Sequence, residues 1–286
     1  MILTNSSAAK VGNSAVSAII STSATFRQFM CYSLTTISHA ISGTTGLIKN
    51  GIGGLTLTGV CNYTGPTQIN AGSLLITNAS TLNGVISGSG SLTKSGSSAV
   101  TIGGNNTYTG GTFFSLGTIT FSSGNAFGTG LFMAQTATQI ITGNNVTLPN
   151  NFQINAGATM QYRTAGANTI TLIGNITQSG NLNKTGNGYL DLTAATLTYT
   201  GSTTIQGGFI RASKTNGAST ATATFQSAGL SLVVSFNVAP PSGITTFRFF
   251  QGTTTQTYAT VTLTGLPVGS TAIYTSATST LTVTVP

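Results

Sequence analysis

Short runs that alternate apolar and hydroxyl-bearing residues fill this chain. In Leu55-Thr56-Leu57-Thr58 the apolar side chains go to one face and the hydroxyls to the other, the pattern of a half-buried strand. The pattern recurs in phase. A Leu-x-Lys triplet ends at Lys49, Lys94 and Lys184, spaced by 45 and then 90 residues. An apolar pair follows each lysine: Leu55 and Leu57, Val100 and Ile102, Leu190 and Leu192. A Tyr-Thr-Gly then begins at Tyr63, Tyr108 and Tyr199, and four residues later comes Thr67, Thr112 or Thr203. Four landmarks hold their phase, so the repetition is structural. Glycines and asparagines near 51–54, 103–106 and 186–188 supply the turns. One unit of two short strands cannot bury its apolar face, whereas stacked units can. The period therefore predicts about two coils of a parallel β-solenoid per repeat.

The segment 92–112 reads Leu-Thr-Lys-x-Gly, an alternating strand, then Asn-Thr-Tyr-Thr-Gly-Gly-Thr. It resembles the autotransporter-associated β-strand repeat, which occurs in passenger regions of secreted bacterial adhesins and in some viral and environmental surface proteins. The resemblance implies a right-handed parallel β-helix. Its copies span 43–83, 84–130 and 175–217, with 131–174 as a spacer. The first copy departs from the pattern at Cys61 and Pro66, and the third carries Leu197-Thr198 in place of Asn-Thr.

The flanks read differently. Over 1–42, residues Ile19, Ser23, Phe26, Met30, Leu34, Ile37 and Ile41 recur at steps of four and three, which predicts an apolar helix face for an N-terminal cap or assembly segment. Ser and Thr at the other positions weaken helix propensity and keep a strand reading open. Over 218–286, longer alternating strands separated by Pro-Pro-Ser-Gly and Gly-Leu-Pro predict an antiparallel β-element covering the end of the solenoid. The expected fold class is all-β: a right-handed parallel β-helix with a helical N-terminal cap or its strand alternative, and an antiparallel C-terminal β cap.

Composition then narrows the chemistry. Charged residues make up 3% of the chain, and Asp191 is its one acidic side chain. Glycoside hydrolysis by the common two-carboxylate routes needs a pair, and calcium cages need several. Asp191 occupies the strand position held by Thr56 and Thr101 in the other copies, and is expected to face outward there. His39 is the only histidine, so a Ser-His-Asp arrangement would have to join His39 to Asp191 from distant parts of the chain. No metal-ligand spacing appears. No catalytic residue, metal or cofactor is expected. Cys31 and Cys61, the two cysteines, are candidates for a disulfide or for a pair of buried thiols.

The formal charge of +8 is scattered, without the clustered Lys and Arg of a nucleic-acid groove. Because Lys49, Lys94 and Lys184 share a phase, they are candidates for a basic stripe along one side, facing an anionic surface or acidic glycan. The bland alternative is that they keep the protein soluble. Tyr63, Tyr108 and Tyr199 are candidates for an aromatic ladder, either exposed as a stacking platform for glycans or packed at a solenoid corner. No apolar run approaches transmembrane length, and 1–42 lacks the charged and apolar regions of a secretory signal. These features lead to the expectation of a non-enzymatic structural protein at a virion surface: a spike, fibre or minor capsid component, homo-oligomeric and bound to other structural proteins. The alternative is a passenger-like bacterial surface adhesin or glycan-binding module, extracellular or on the cell surface.

Overall fold

The computed structural model describes residues 18–22, 26–226, 231–250, 253–254, 258 and 260–286. Every regular element among them is a β-strand. The chain divides into two compact units, 1–140 and 141–286.

In the first unit the coils up to Ile102 run through three short strands joined by tight turns, and the later ones keep two, as in Thr112–Phe114 and Gly117–Phe121. Gly46–Asn50, Gly54–Leu57 and Cys61–Tyr63 form one coil, followed by Thr67–Ile69, Ser73–Ile76 and Ser80–Leu82. Strands of successive coils pair in parallel: Leu47 opposes Thr67, Leu55 opposes Leu74, Leu74 opposes Leu92, and Leu92 opposes Thr112. Those registers put 18 to 20 residues in a coil. Inward positions carry the core, among them Leu47, Leu55, Leu74, Leu92, Phe114 and Phe132, each at most 1% exposed. A single two-layer sheet would expose such residues, whereas stacked coils enclose them on every side.

The described residues of the N-terminal segment, 18–22 and 26–42, form strands and no helix. Ala18–Thr22 pairs antiparallel with Phe26–Cys31, which pairs parallel with Gly46–Asn50 and so forms the first coil. Thr35–Ile37 and Ile41–Gly43 continue that coil onto the next faces. The spacing of four and three that suggested a helix is outweighed by the run of β-branched and hydroxyl residues. A parallel edge waiting on the next coil completes their backbone hydrogen bonds. The part of the expected helix at 1–17 lies outside the described residues.

The second unit repeats the scheme. Val146–Leu148, Thr169–Leu172, Tyr189–Asp191 and Phe209–Asn216 form one parallel ladder, and Thr159–Thr164, Asn181–Thr185 and Thr203–Ile205 form another. The first coil of this ladder is longer, since Val146 opposes Ile170, 24 residues on, and the next two return to 20, with Ile170 opposite Leu190 and Leu190 opposite Ile210. After Phe209–Asn216 the pairing turns antiparallel through Ser219–Gln226 and Ser231–Phe236. A separate three-stranded antiparallel sheet places Thr280–Val285 between Gly243–Arg248 and Thr271–Thr275. The C-terminal antiparallel element read from the sequence is therefore present. Phe225, Phe247, Phe249 and Phe250 fill its interior.

Candidate functional site

The three phased lysines point inward. Lys49, Lys94 and Lys184 are 0%, 2% and 0% exposed, so they form no basic stripe. Each ammonium donates to three backbone carbonyls. Lys94 Nζ reaches the oxygens of Ser95, Gly96 and Leu116 at 3.0, 2.7 and 3.0 Å. Lys49 Nζ uses Asn50, Gly51 and Ala71 in the same way, and Lys184 uses Thr185, Gly186 and Gly207. Two acceptors are the two residues that follow the lysine, where its strand ends and the turn begins, and the third is 22 or 23 residues on, in the matching turn of the next coil. All three donors of the ammonium are used, and two coils are tied together. Burial pulls each lysine below its ordinary pKa, Lys184 to about 8. The three carbonyls accept best from the charged form and so oppose the effect of burial.

The lysines also fail to line up. Lys49 lies in Gly46–Asn50 and Lys94 in Ser91–Lys94, strands of two different sheets of the first unit. The cause is arithmetic: a period of 45 residues exceeds two coils of 18 to 20 by about one strand and its turn. The second repeat therefore begins on a different face from the first.

Tyr63, Tyr108 and Tyr199 are 1%, 0% and 0% exposed, and no ring contact joins any two of them. They form no exposed platform: each is packed in the interior, as the packed alternative expected, though without ring-on-ring stacking among the described residues. Each hydroxyl instead bonds the threonine four residues later, at 2.7 Å for Tyr63–Thr67 and 2.5 Å for Tyr108–Thr112 and Tyr199–Thr203. Burial pushes all three phenols above their ordinary pKa. Asn106, two residues before Tyr108, is also buried and links three coils: its Oδ1 accepts from Ile86 N and its Nδ2 donates to Ala126 O. Cys61 holds the corresponding place in the first copy. Cys31 and Cys61 are both buried free thiols, so the candidate disulfide is absent.

On the outside, one cluster brings charge and aromatics together. Asp191 faces outward from Tyr189–Asp191, as its strand position predicts, and its Oδ2 lies 3.2 Å from Arg211 on the adjoining strand. Asp191 Oδ1 accepts from the backbone N–H and hydroxyl of Thr193. The guanidinium sits 5.3 Å from the Tyr189 ring centroid, and that ring stacks on Phe209 at 4.7 Å with an interplanar angle of 18°. Among the described residues this is the one salt bridge. Sequence reasoning singled out Asp191 but not its partners Tyr189, Phe209 and Arg211. Their signal was available only by comparing outward positions between copies, since the shared landmarks all turned out to be interior.

His39 is exposed in the first unit, whereas Asp191 belongs to the second. Among the described residues, no three of His, Cys, Asp and Glu converge, and no helix is long and apolar enough to cross a membrane.

Against models of known families, three segments match the passenger-associated-transport-repeat: 47–76, 92–127 and 182–212. These are the three phased copies, so the resemblance to a passenger-type β-helix holds in both sequence and fold. No curated protein and no solved structure matched the chain.

Proposed function

We propose that this chain is an extracellular, passenger-like surface protein whose β-solenoid is a non-enzymatic scaffold for adhesion. The observation that carries the reading is the triple passenger-type repeat, whose shared lysines and tyrosines are all spent on holding coils together. A repeat that commits its shared polar chemistry to the interior builds length and rigidity, and leaves recognition to outward positions free to vary. The expectation of a virion component draws no support from the comparisons, and the passenger-like alternative fits them better. The scarcity of carboxylates argues the same way against hydrolysis of polysaccharides.

The test uses the purified full chain on immobilised glycans, matrix proteins and cell surfaces, with a parallel assay for reducing ends released from polysaccharides. Saturable surface binding without sugar release is expected. Sugar release that Asp191→Asn abolishes would overturn the non-enzymatic reading.

A further inference from the structure

The three repeats can be superposed residue by residue, and this isolates one place where they differ in kind. Counting from each lysine, and allowing for the one extra residue before Tyr199, positions Gly54, Ala99 and Tyr189 correspond. So do Thr56, Thr101 and Asp191; Ser73, Thr118 and Phe209; and Leu75, Thr120 and Arg211. The strand pairing is the same in all three. Gly54 opposes Ser73 and Thr56 opposes Leu75; Ala99 opposes Thr118 and Thr101 opposes Thr120; Tyr189 opposes Phe209 and Asp191 opposes Arg211. Four positions on the side of two neighbouring strands away from the core thus make the same square in each copy, with Thr56 covered in the first. Small or uncharged side chains fill it in the first two copies. In the third it holds two aromatic rings, the chain's only acidic residue and an arginine.

We infer that the square formed by Tyr189, Asp191, Phe209 and Arg211 is a binding subsite for a neutral, hexose-type glycan. The inference rests on the reading of the chain as a surface adhesin and gives it a site. Folding does not demand these residues, since the same backbone closes with Ala, Thr, Thr and Thr in the second copy. Their chemistry is that of sugar recognition. The two rings stack on each other, so the half-exposed apolar flank of the pair is what the C–H face of a pyranose would meet. Arg211 spends one N–H on Asp191, its side chain is 42% exposed, and no other hydrogen bond to it occurs among the described residues. It therefore has donors to give to sugar oxygens, while Asp191 Oδ2 can accept from an adjacent hydroxyl. Threonines flank the square, Thr169 and Thr171 on one neighbouring strand and Thr224 on the other. Charge selects the class: the ion pair sums to zero, and the Asp191 carboxylate repels a uronate or sulfate that Arg211 alone would attract.

The other copies supply the controls. The variant Y189A/D191T/F209T/R211T installs the second copy's residues in the third, and D191T alone installs the threonine of both other copies. The full chain and both variants are titrated against immobilised neutral hexose oligosaccharides, sulfated and uronate oligosaccharides, and protein-coated surfaces. The wild type is expected to prefer the neutral set. The fourfold variant should lose at least tenfold in affinity, and D191T several-fold, with far-UV spectra unchanged. The converse variant A99Y/T101D/T118F/T120R should raise the number of sites from one to two. Undiminished neutral-glycan binding by both loss variants would overturn the site while leaving the adhesin reading standing. Preference for sulfated or uronate chains, or adhesion to protein alone, would overturn the ligand class. Absence of adhesion to any surface would overturn both readings.

Discussion

A lysine in the middle of a β-solenoid needs three acceptors, and the repeat supplies them through the glycine two residues on. Gly51, Gly96 and Gly186 all adopt positive φ, at 80°, 86° and 72°, and their carbonyls are among those that receive the ammonium. This explains why the motif reads Lys-x-Gly. Removing the ammonium leaves three part-buried carbonyls without their shared donor, so Lys94→Met is expected to destabilise the protein by about 1–3 kcal/mol. A urea midpoint within error of wild type would show that the clamp is dispensable. Tyr108→Phe removes a weaker link, because Thr112 Oγ1 retains the Phe127 carbonyl. A loss of about 1 kcal/mol is expected in the same assay. These roles were not legible in the sequence. A phased lysine on an alternating strand looks like a surface residue, and only the closed coil shows that its tail runs inward to a turn.

At the level of the coil, close stacking of turns sets the constraint. A Cβ on Gly96 would stand 2.3 Å from the Thr77 carbonyl oxygen on the preceding coil, in a left-handed backbone conformation. Gly157 has a similar φ of 76° but open space around it. Gly157→Ala should therefore cost only the conformational strain of about 1–2 kcal/mol, while Gly96→Ala should cost clearly more. Equal losses in denaturant titrations would contradict the stacking account. The strand-turn pattern and the solenoid were readable because alternation and turn residues are local properties. The N-terminal strands were not, because Phe26–Cys31 owes its conformation to a partner 20 residues away in sequence, as Phe26 opposes Gly46. Nor was the shift of the second repeat to a different face from the first. That depends on the difference between a period of 45 and coils of 18 to 20, and the latter follow from the pairing registers.

For the whole molecule, the same buried groups fix how stability varies with pH. One carboxylate side chain and one histidine leave little to titrate from acid to neutral pH, so stability should be nearly flat there. Lys184 has a folded pKa near 8 against 10.5 unfolded, so burying its charge costs the fold a constant amount below pH 8, and that cost is relieved as pH rises from 8 to 10.5. The buried tyrosines act oppositely. Tyr63, Tyr108, Tyr162, Tyr199 and Tyr258 are raised by burial, so their contribution is full below pH 10 and is lost as pH climbs past it. The denaturation midpoint should thus rise modestly from pH 8 towards 10 and fall steeply above it. A steep acid transition would contradict this balance.

The repeat's shared lysines are interior clamps and not a basic surface. Amine acetylation of the native full chain, read residue by residue by mass spectrometry, tests this placement most directly. Lys214, exposed near the end of its strand, should react at once. Lys49, Lys94 and Lys184 should stay unmodified until the protein is unfolded. Labelling of those three at the rate of Lys214 would contradict the account and return them to the surface as a basic stripe.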